Sequence, residues 1–300
     1  IMALRWNWLL RDARTQAACW RLLKWPCSLP ETKRYFSAMR HNPRKRFGQN
    51  FLIDQQVIAH IIDAIYPQKN DRIIEIGPGL GALTRPLLQV VDHLDVVELD
   101  RDIVDKLDKE FPKEKLTIHS ADALKFDFSV LGSGLRIIGN LPYNISTPLL
   151  FHLSQFSEQI LDMHFMLQKE VVERMVGMPS TSDYGRLSIM LQYRFDMEYV
   201  FSVPAESFRP VPKVESAIVR MIPRHKASMN AKDEALFSQI VSAAFSQRRK
   251  TLRNTLNHHL KPDDFASLGI DPGLRAENLS VAQFVAITNY LAPISDNMTT

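Results

Sequence analysis

Between Arg72 and Ala82 the chain reads Arg-Ile-Ile-Glu-Ile-Gly-Pro-Gly-Leu-Gly-Ala, an apolar run that ends in glycines at 77, 79 and 81. A short apolar run bounded by glycine predicts a buried parallel strand. Glycines at every second position predict a tight turn where backbone can approach a ligand with no side chain in between. A helix is expected near Thr84, so the stretch reads as the strand, turn and helix start of a βαβ unit. The turn does not choose its ligand. Gly77-x-Gly79-x-x-Ala82 satisfies the dinucleotide fingerprint, and the acid Glu98 follows about twenty residues on, as that fingerprint asks. A nicotinamide enzyme is therefore one reading of this stretch, and a strand end that merely needs glycine is another.

The following segments add the rest of a site. Val57, Ile58, Ile61, Ile62 and Ile65 recur at helical spacing behind Asp54, which is placed to cap the first turn. A second strand is expected over residues 94–99. Carboxylates at its carboxyl end, Glu98 and Asp100, would lie beside the glycine turn, where they could accept hydrogen bonds from ribose hydroxyls. Residues 102–111 read as an amphipathic helix and 116–119 as a third strand. The loop that closes that strand carries Asp122, placed to bond the exocyclic amine of an adenine, although Asp is equally a common loop residue.

The fourth strand, residues 136–139, runs straight into Asn140-Leu141-Pro142-Tyr143-Asn144. An amide, a proline and an aromatic at that point suit methylation of a base amine. The amine of adenine is conjugated with its ring and is a poor nucleophile until acceptors draw its lone pair out of conjugation. The Asn140 side-chain oxygen and the Leu141 main-chain carbonyl can supply two acceptors, the latter exposed because Pro142 fixes the turn. Tyr143 can stack on a flipped-out base. No strong base is required, since the amine reacts uncharged and its proton can leave to solvent. Rate then comes from in-line placement of nucleophile and methyl donor.

Beyond this point a helix is expected over 147–156, a fifth strand over 163–167, helices over 169–176 and 187–193, and closing strands over 198–203 and 217–222. The Ser, Thr, Pro and Gly content of 177–185 marks a mobile loop. From about Pro223 the pattern turns helical, with an apolar stripe of Leu236, Ile240, Val241, Ala244 and Phe245. Arg248, Arg249, Lys250 and Arg253 then place four cations within six positions. The last helix should pack through Leu279, Phe284, Ile287 and Leu291.

Charge and cysteine limit the function classes only after the first 38 residues are set aside. That tail holds all four tryptophans and both cysteines and carries a net +5, whereas the remainder carries −1. The basic balance is thus no evidence for nucleic-acid binding by the body. The body has no cysteine, which excludes disulfide frameworks and thiolate metal sites there. No metal is expected, because His258 and His259 are adjacent and would face different ways on a helix. No apolar run approaches the roughly eighteen residues of a membrane span. The tail reads either as a segment upstream of a natural start at Met39 or as an arginine-rich transit peptide.

Five segments carry a resemblance. Phe47-Gly48-Gln49-Asn50-Phe51-Leu52, Glu75-x-Gly77-Pro78-Gly79-x-Gly81, Val97-Glu98-x-Asp100, Asn140-Leu141-Pro142-Tyr143-Asn144 and Phe208-Arg209-Pro210-x-Pro212-Lys213-Val214 resemble the KsgA-type ribosomal RNA small subunit adenine N6,N6-dimethyltransferases, in the bacterial form. The similarity runs from about Arg44 to the carboxyl terminus, and the tail has no counterpart.

It implies an α/β fold: a class I S-adenosylmethionine-dependent methyltransferase domain over 39–222, with a Rossmann-like seven-stranded sheet of which one strand is antiparallel. A small all-helical RNA-binding domain over 223–300 should follow. S-adenosylmethionine is the implied cofactor, with contacts at Asn50, Leu52, Gly77, Glu98, Asp122 and Asn140, to which the glycine turn adds Gly79. The implied catalytic group is Asn140, Leu141, Pro142, Tyr143 and Phe208, the last as the second face of a base sandwich with Tyr143. Arg248, Arg249, Lys250 and Arg253 become the candidate phosphate contacts.

The implied substrate is a pair of adjacent adenosines in the 3'-terminal hairpin of small-subunit (16S) rRNA, within a partly assembled subunit. A cytoplasmic monomer is expected, or a mitochondrial one if the tail is a transit peptide. An Erm-type large-subunit enzyme and a non-catalytic mitochondrial transcription factor relative are the competing readings.

Overall fold

The strand that opens the glycine turn lies at the centre of the sheet. A computed structural model describes residues 49–225 and 230–292, all within one compact unit. The amino-terminal tail, the basic residues Arg40 and Arg44 to Arg46, and Phe47 and Gly48 lie outside the described residues. Seven strands, β2 (Arg72–Ile76), β3 (Leu94–Glu98), β4 (Leu116–Ser120), β5 (Leu135–Asn140), β6 (Ile160–Gln168), β7 (Phe195–Val203) and β9 (Ser216–Pro223), form one sheet in the order β4-β3-β2-β5-β6-β9-β7. The first five run parallel, and β9 is antiparallel to both of its neighbours. That is the expected seven-stranded arrangement.

Both faces of the sheet are covered, so its central strands alternate between two cores instead of between core and solvent. Ile74, Ile137 and Phe165 pack on one side, and Ile73, Ile138 and Met166 on the other. Because β3 and β5 lie on opposite sides of β2, the carboxyl ends of these three strands open onto a crevice where the connections diverge. Crevices of that kind are where open α/β sheets bind ligands.

Helix α1 (Gln55–Ile65) covers the second core. Its cap is as expected: the Asp54 carboxylate accepts from the Gln56 and Val57 amides at 2.9 and 3.3 Å, a motif worth about 1 kcal/mol. The chain leaves α1 through Tyr66 in a left-handed conformation, and Pro67 prevents continuation. Helices α2 (Thr84–Leu87), α3 (Arg101–Glu110), α4 (Ser146–Leu153) and α5 (Lys169–Val176) follow their strands. A two-stranded ribbon lies apart from the main sheet. Strand β1 (Phe51–Leu52) pairs antiparallel with β8 (Phe208–Arg209), matching Leu52 to Phe208. It brings the start of the described chain to the crevice.

The carboxyl-terminal helices α7 (Glu234–Ala244), α8 (Leu252–Thr255), α9 (Pro262–Leu268) and α10 (Val281–Leu291) share a third core. Phe237, absent from the expected stripe, is fully buried in it, whereas Leu236 and Phe245 are only partly buried. This core also takes in Tyr184 and residues of α6 (Arg186–Gln192), so it begins before the sheet is complete. The expected mobile loop at 177–185 is instead tied to it. Ser180 N–H donates to the Glu277 carbonyl at 2.8 Å, and the Tyr184 hydroxyl to the Leu279 carbonyl at 2.9 Å.

Candidate active site

The glycine turn does what its composition predicts. Gly77, Gly79 and Gly81 have φ of 66°, 54° and 78°, a region that L side chains rarely adopt. At Gly79 a Cβ would also press to 3.2 Å from the Phe51 ring, which would have to shift by a few tenths of an ångström to admit it. Together these segments enclose an open cavity of about 250 Å³. Asn50, Leu52, Gly77, Gly79, Glu98, Asp122, Asn140, Leu141, Pro142, Tyr143 and Phe208 all line it, although they come from six separate stretches of chain.

Hydrogen bonding sets the direction of the polar groups. The Asn140 Nδ2 donates to the Asn50 carbonyl at 3.1 Å. That partner can only accept, so the amide nitrogen must face it and the amide oxygen is the end left to accept. Next to it, the Leu141 N–H donates to the Met166 carbonyl at 3.1 Å, which anchors this peptide to β6. Among the described residues no donor reaches the Leu141 carbonyl. Gly139 lets this corner form: a Cβ there would fall 2.6 Å from the Ile76 carbonyl oxygen, so β5 can approach β2 only with glycine at that position.

At the other end of the cavity, one Glu98 oxygen accepts the Leu99 and Asp100 amides, both at 2.8 Å. Burial pushes the Glu98 carboxyl above its ordinary range, and these backbone donors offset part of the rise. Asp122 Oδ1 accepts the Leu124 amide at 3.0 Å. Asp122 is thereby held by its own turn, and Glu98 by its own turn and by the Gly79 backbone of the glycine turn. Asp100, which the sequence placed beside Glu98 as a ribose acceptor, does other work. It is buried, caps α3 through the Asp102 amide at 3.1 Å, takes the Gln49 side chain at 3.3 Å, and does not line the cavity.

Two aromatic residues differ in access. Tyr143 is half-buried at the cavity, with its hydroxyl 3.0 Å from Ser216 Oγ. Phe208 is 1% exposed and belongs to the second core beside Leu52, and it also lines the cavity. Arg248, Arg249, Lys250 and Arg253 do not line the cavity; all four are exposed around the turn between α7 and α8.

Sequence reasoning passed over Glu75. It lines the cavity at 2% exposure, accepts the Thr84 hydroxyl at 2.6 Å, and is pushed up to about 7 by burial. The signal was present: a carboxylate inside an otherwise apolar central strand is costly unless it has a task.

A family model described as ribosomal RNA adenine dimethylase matches residues 40–293. The chain belongs to the ribosomal RNA adenine dimethylase family. It is 69% identical over 249 residues to ribosomal RNA small subunit methyltransferase A of Nitrosomonas europaea, covering 83% of this chain and 96% of that protein. It is 65% identical over 252 residues to the protein of the same name from Nitrosospira multiformis, covering 84% and 97%.

Among solved structures, a dimethyladenosine transferase from Plasmodium falciparum superposes with a TM-score of 0.68 at 26% identity, over 79% of this chain and 95% of that one. The 23S rRNA methyltransferase ErmE, at 23% identity, a TM-score of 0.60 and coverage of 81% and 99%, shares the fold. This member of the adenine dimethylase family is therefore an S-adenosylmethionine-dependent rRNA adenine methyltransferase, and the nicotinamide reading of its glycine turn falls away. The cavity fits that cofactor. Its polar lining includes the Glu98 and Asp122 carboxylates and the Asn140 amide, beside a glycine turn that presents backbone to the space.

Proposed function

We propose that this chain dimethylates the N6 amines of two adjacent adenosines in the 3'-terminal hairpin of small-subunit rRNA. The orientation of Asn140 carries this reading. Its amide oxygen, turned outward by the Asn50 carbonyl, and the Leu141 carbonyl form a pair of acceptors beside a half-buried aromatic ring. Two acceptors on the two hydrogens of a base amine draw its lone pair out of the ring and hold it ready to react.

S-adenosylmethionine supplies a methyl group activated by a positively charged sulfur. Gly77 and Gly79 would hold its amino-acid part, Glu98 its ribose and Asp122 its adenine, with Asn50 and Leu52 closing over it. Tyr143 keeps the base plane, with Pro142 fixing the turn and Phe208 behind it. Because Asn140 is neutral, it places no countercharge beside the amine. A singly methylated amine can therefore rotate and be held again for the second transfer.

Arg248, Arg249, Lys250 and Arg253 form a local basic patch on a body of nearly neutral charge, and they supply the RNA phosphate contacts in this reading. The substrate is rRNA within a partly assembled small subunit, the enzyme acts as a monomer, and the compartment is the cytoplasm. The names of the bacterial relatives support the subunit. Among the described residues no helix is long and apolar enough to cross a membrane, and no group of side chains could hold a metal ion.

Labelled methyl transfer to undermethylated small subunits, to large subunits and to free rRNA tests the proposal. Label confined to two neighbouring adenosines of the small subunit is expected. Label in the large subunit alone would favour the Erm-type reading, and no transfer to any RNA would favour a non-catalytic relative.

A further inference from the structure

We infer that Ser216 is a positioning residue for base stacking: its hydroxyl fixes the tilt of the Tyr143 ring. The inference rests on the proposed function, in which Tyr143 holds the plane of the target adenine. Ser216 is 1% exposed, yet it opens a strand whose next three residues are buried and apolar. A hydroxyl taken out of water costs stability unless it is bonded, and Ala or Val would pack a strand start at least as well. Among the described residues its partner is the Tyr143 hydroxyl at 3.0 Å.

Both ends of that bond are held firmly. Ser216 lies between Gln168 of β6 and Val203 of β7. The residue before it, Glu215, is clamped to the start of α5, its carbonyl accepting the Lys169 amide at 3.0 Å and its carboxylate the Lys169 ammonium at 2.8 Å. On the other side, the Tyr143 carbonyl accepts the Ser146 hydroxyl at 3.1 Å. Tyr143 is therefore tied at its backbone to the start of α4 and at its ring tip to β9. Acceptors at Asn140 and Leu141 set where the amine lies, and the ring sets the angle at which it is presented. Methyl transfer requires in-line geometry, so a ring free to rock slows the reaction while the substrate stays bound through its other parts. The second transfer is the more demanding, because the amine then carries a methyl group that must rotate aside.

The test uses S216A, S216T, Y143F and the S216A/Y143F double variant on undermethylated small subunits. It follows kcat, KM and the ratio of mono- to dimethyladenosine. One buried hydrogen bond predicts a kcat loss of about 3- to 10-fold in each single variant. The KM for subunits should be unchanged and the share of monomethyl product should rise. The double variant should be no worse than either single one, and S216T, which keeps the hydroxyl, should recover most of the activity. Multiplying losses in the double variant, an unmoved product ratio, or S216T as poor as S216A would each overturn the inference. Y143F keeps the test decisive if S216A misfolds, because it removes the same bond from the cavity side. Wild-type enzyme that methylates no small subunit would refute the proposed function itself. Wild-type activity with unaffected variants would refute only the role of Ser216.

Discussion

Replacing Glu75 with Gln should make the protein more stable at alkaline pH and worse at holding its cofactor. The carboxyl is buried in β2 between Val96 of β3 and Ile138 of β5, with the Thr84 hydroxyl as its donor. Burial raises it from 4.5 to about 7, with Glu98 adding to the rise and Arg85 opposing it. Between those values the folded chain keeps a proton that the unfolded chain releases. The associated stability is complete below pH 4.5 and is lost as pH rises through about 7, a difference of about 3 kcal/mol. Gln is neutral throughout, and its oxygen can still accept from Thr84.

The difference in unfolding free energy between E75Q and wild type, from urea titrations, should thus grow in favour of E75Q by about 2.5 kcal/mol between pH 5 and pH 8.5. Contributions from groups that do not interact with Glu75 are common to both proteins and cancel, whereas Glu98, which does interact with it, ionises more readily once Glu75 is replaced by a neutral amide. A cation in the cavity favours ionised Glu75, so wild-type affinity for S-adenosylmethionine should rise as pH passes about 7, and E75Q should bind weakly at every pH. A pH-independent stability difference would refute the assignment of a buried, protonated carboxyl.

His164 supplies the opposite slope. It is 4% exposed on β6, neither ring nitrogen has a hydrogen-bond partner among the described residues, and burial lowers it from 6.5 to about 4. Its stability contribution is therefore present above pH 6.5 and lost as pH falls toward 4, so H164M should melt less steeply with acid in thermal scans over that range. Gly139→Ala should cost about 1 to 3 kcal/mol, because the new Cβ meets backbone at the Ile76 carbonyl, and it should abolish methyl transfer by displacing Asn140. Stability from denaturant unfolding and a transfer assay on the same preparation check both. Reversing Arg248 and Arg249 to Glu should weaken RNA binding and flatten its salt dependence by about one power of salt for each phosphate no longer neutralised. Both side chains are exposed and outside the cavity, so cofactor affinity should hold, and loss of the Arg248 bond to the Ser182 carbonyl at 3.3 Å should lower the melting temperature only slightly.

The parts of this protein governed by local physics are legible in its sequence. Alternating or continuous apolar runs and the glycines that end them mark β2, β3, β4 and β5 within a residue or two, because strand burial and positive φ constrain residue type directly. Asp54 and Pro67 bound α1 for equally local reasons. The motifs at 77–81, at 98 and at 140–143 name a methyl-transfer site before any coordinates are seen, through chemistry and through resemblance to a known family.

What depends on distant partners was not visible. Asp100 and Glu98 look alike in sequence, and only the start of α3 turns one into a helix cap while the other faces the cavity. Phe208 reads as a stacking residue in sequence, and only the pairing of β8 with β1 shows that it is also buried beside Leu52 while lining the cavity. The loop at 177–185 looks mobile until Glu277 and Leu279 arrive from about a hundred residues away to bond it. Ser216 acquires a meaning only when β9 sets it against Tyr143. Propensity and patterning act through neighbours along the chain, whereas the direction of a side chain and the state of a buried charge are set by whatever the fold packs against them.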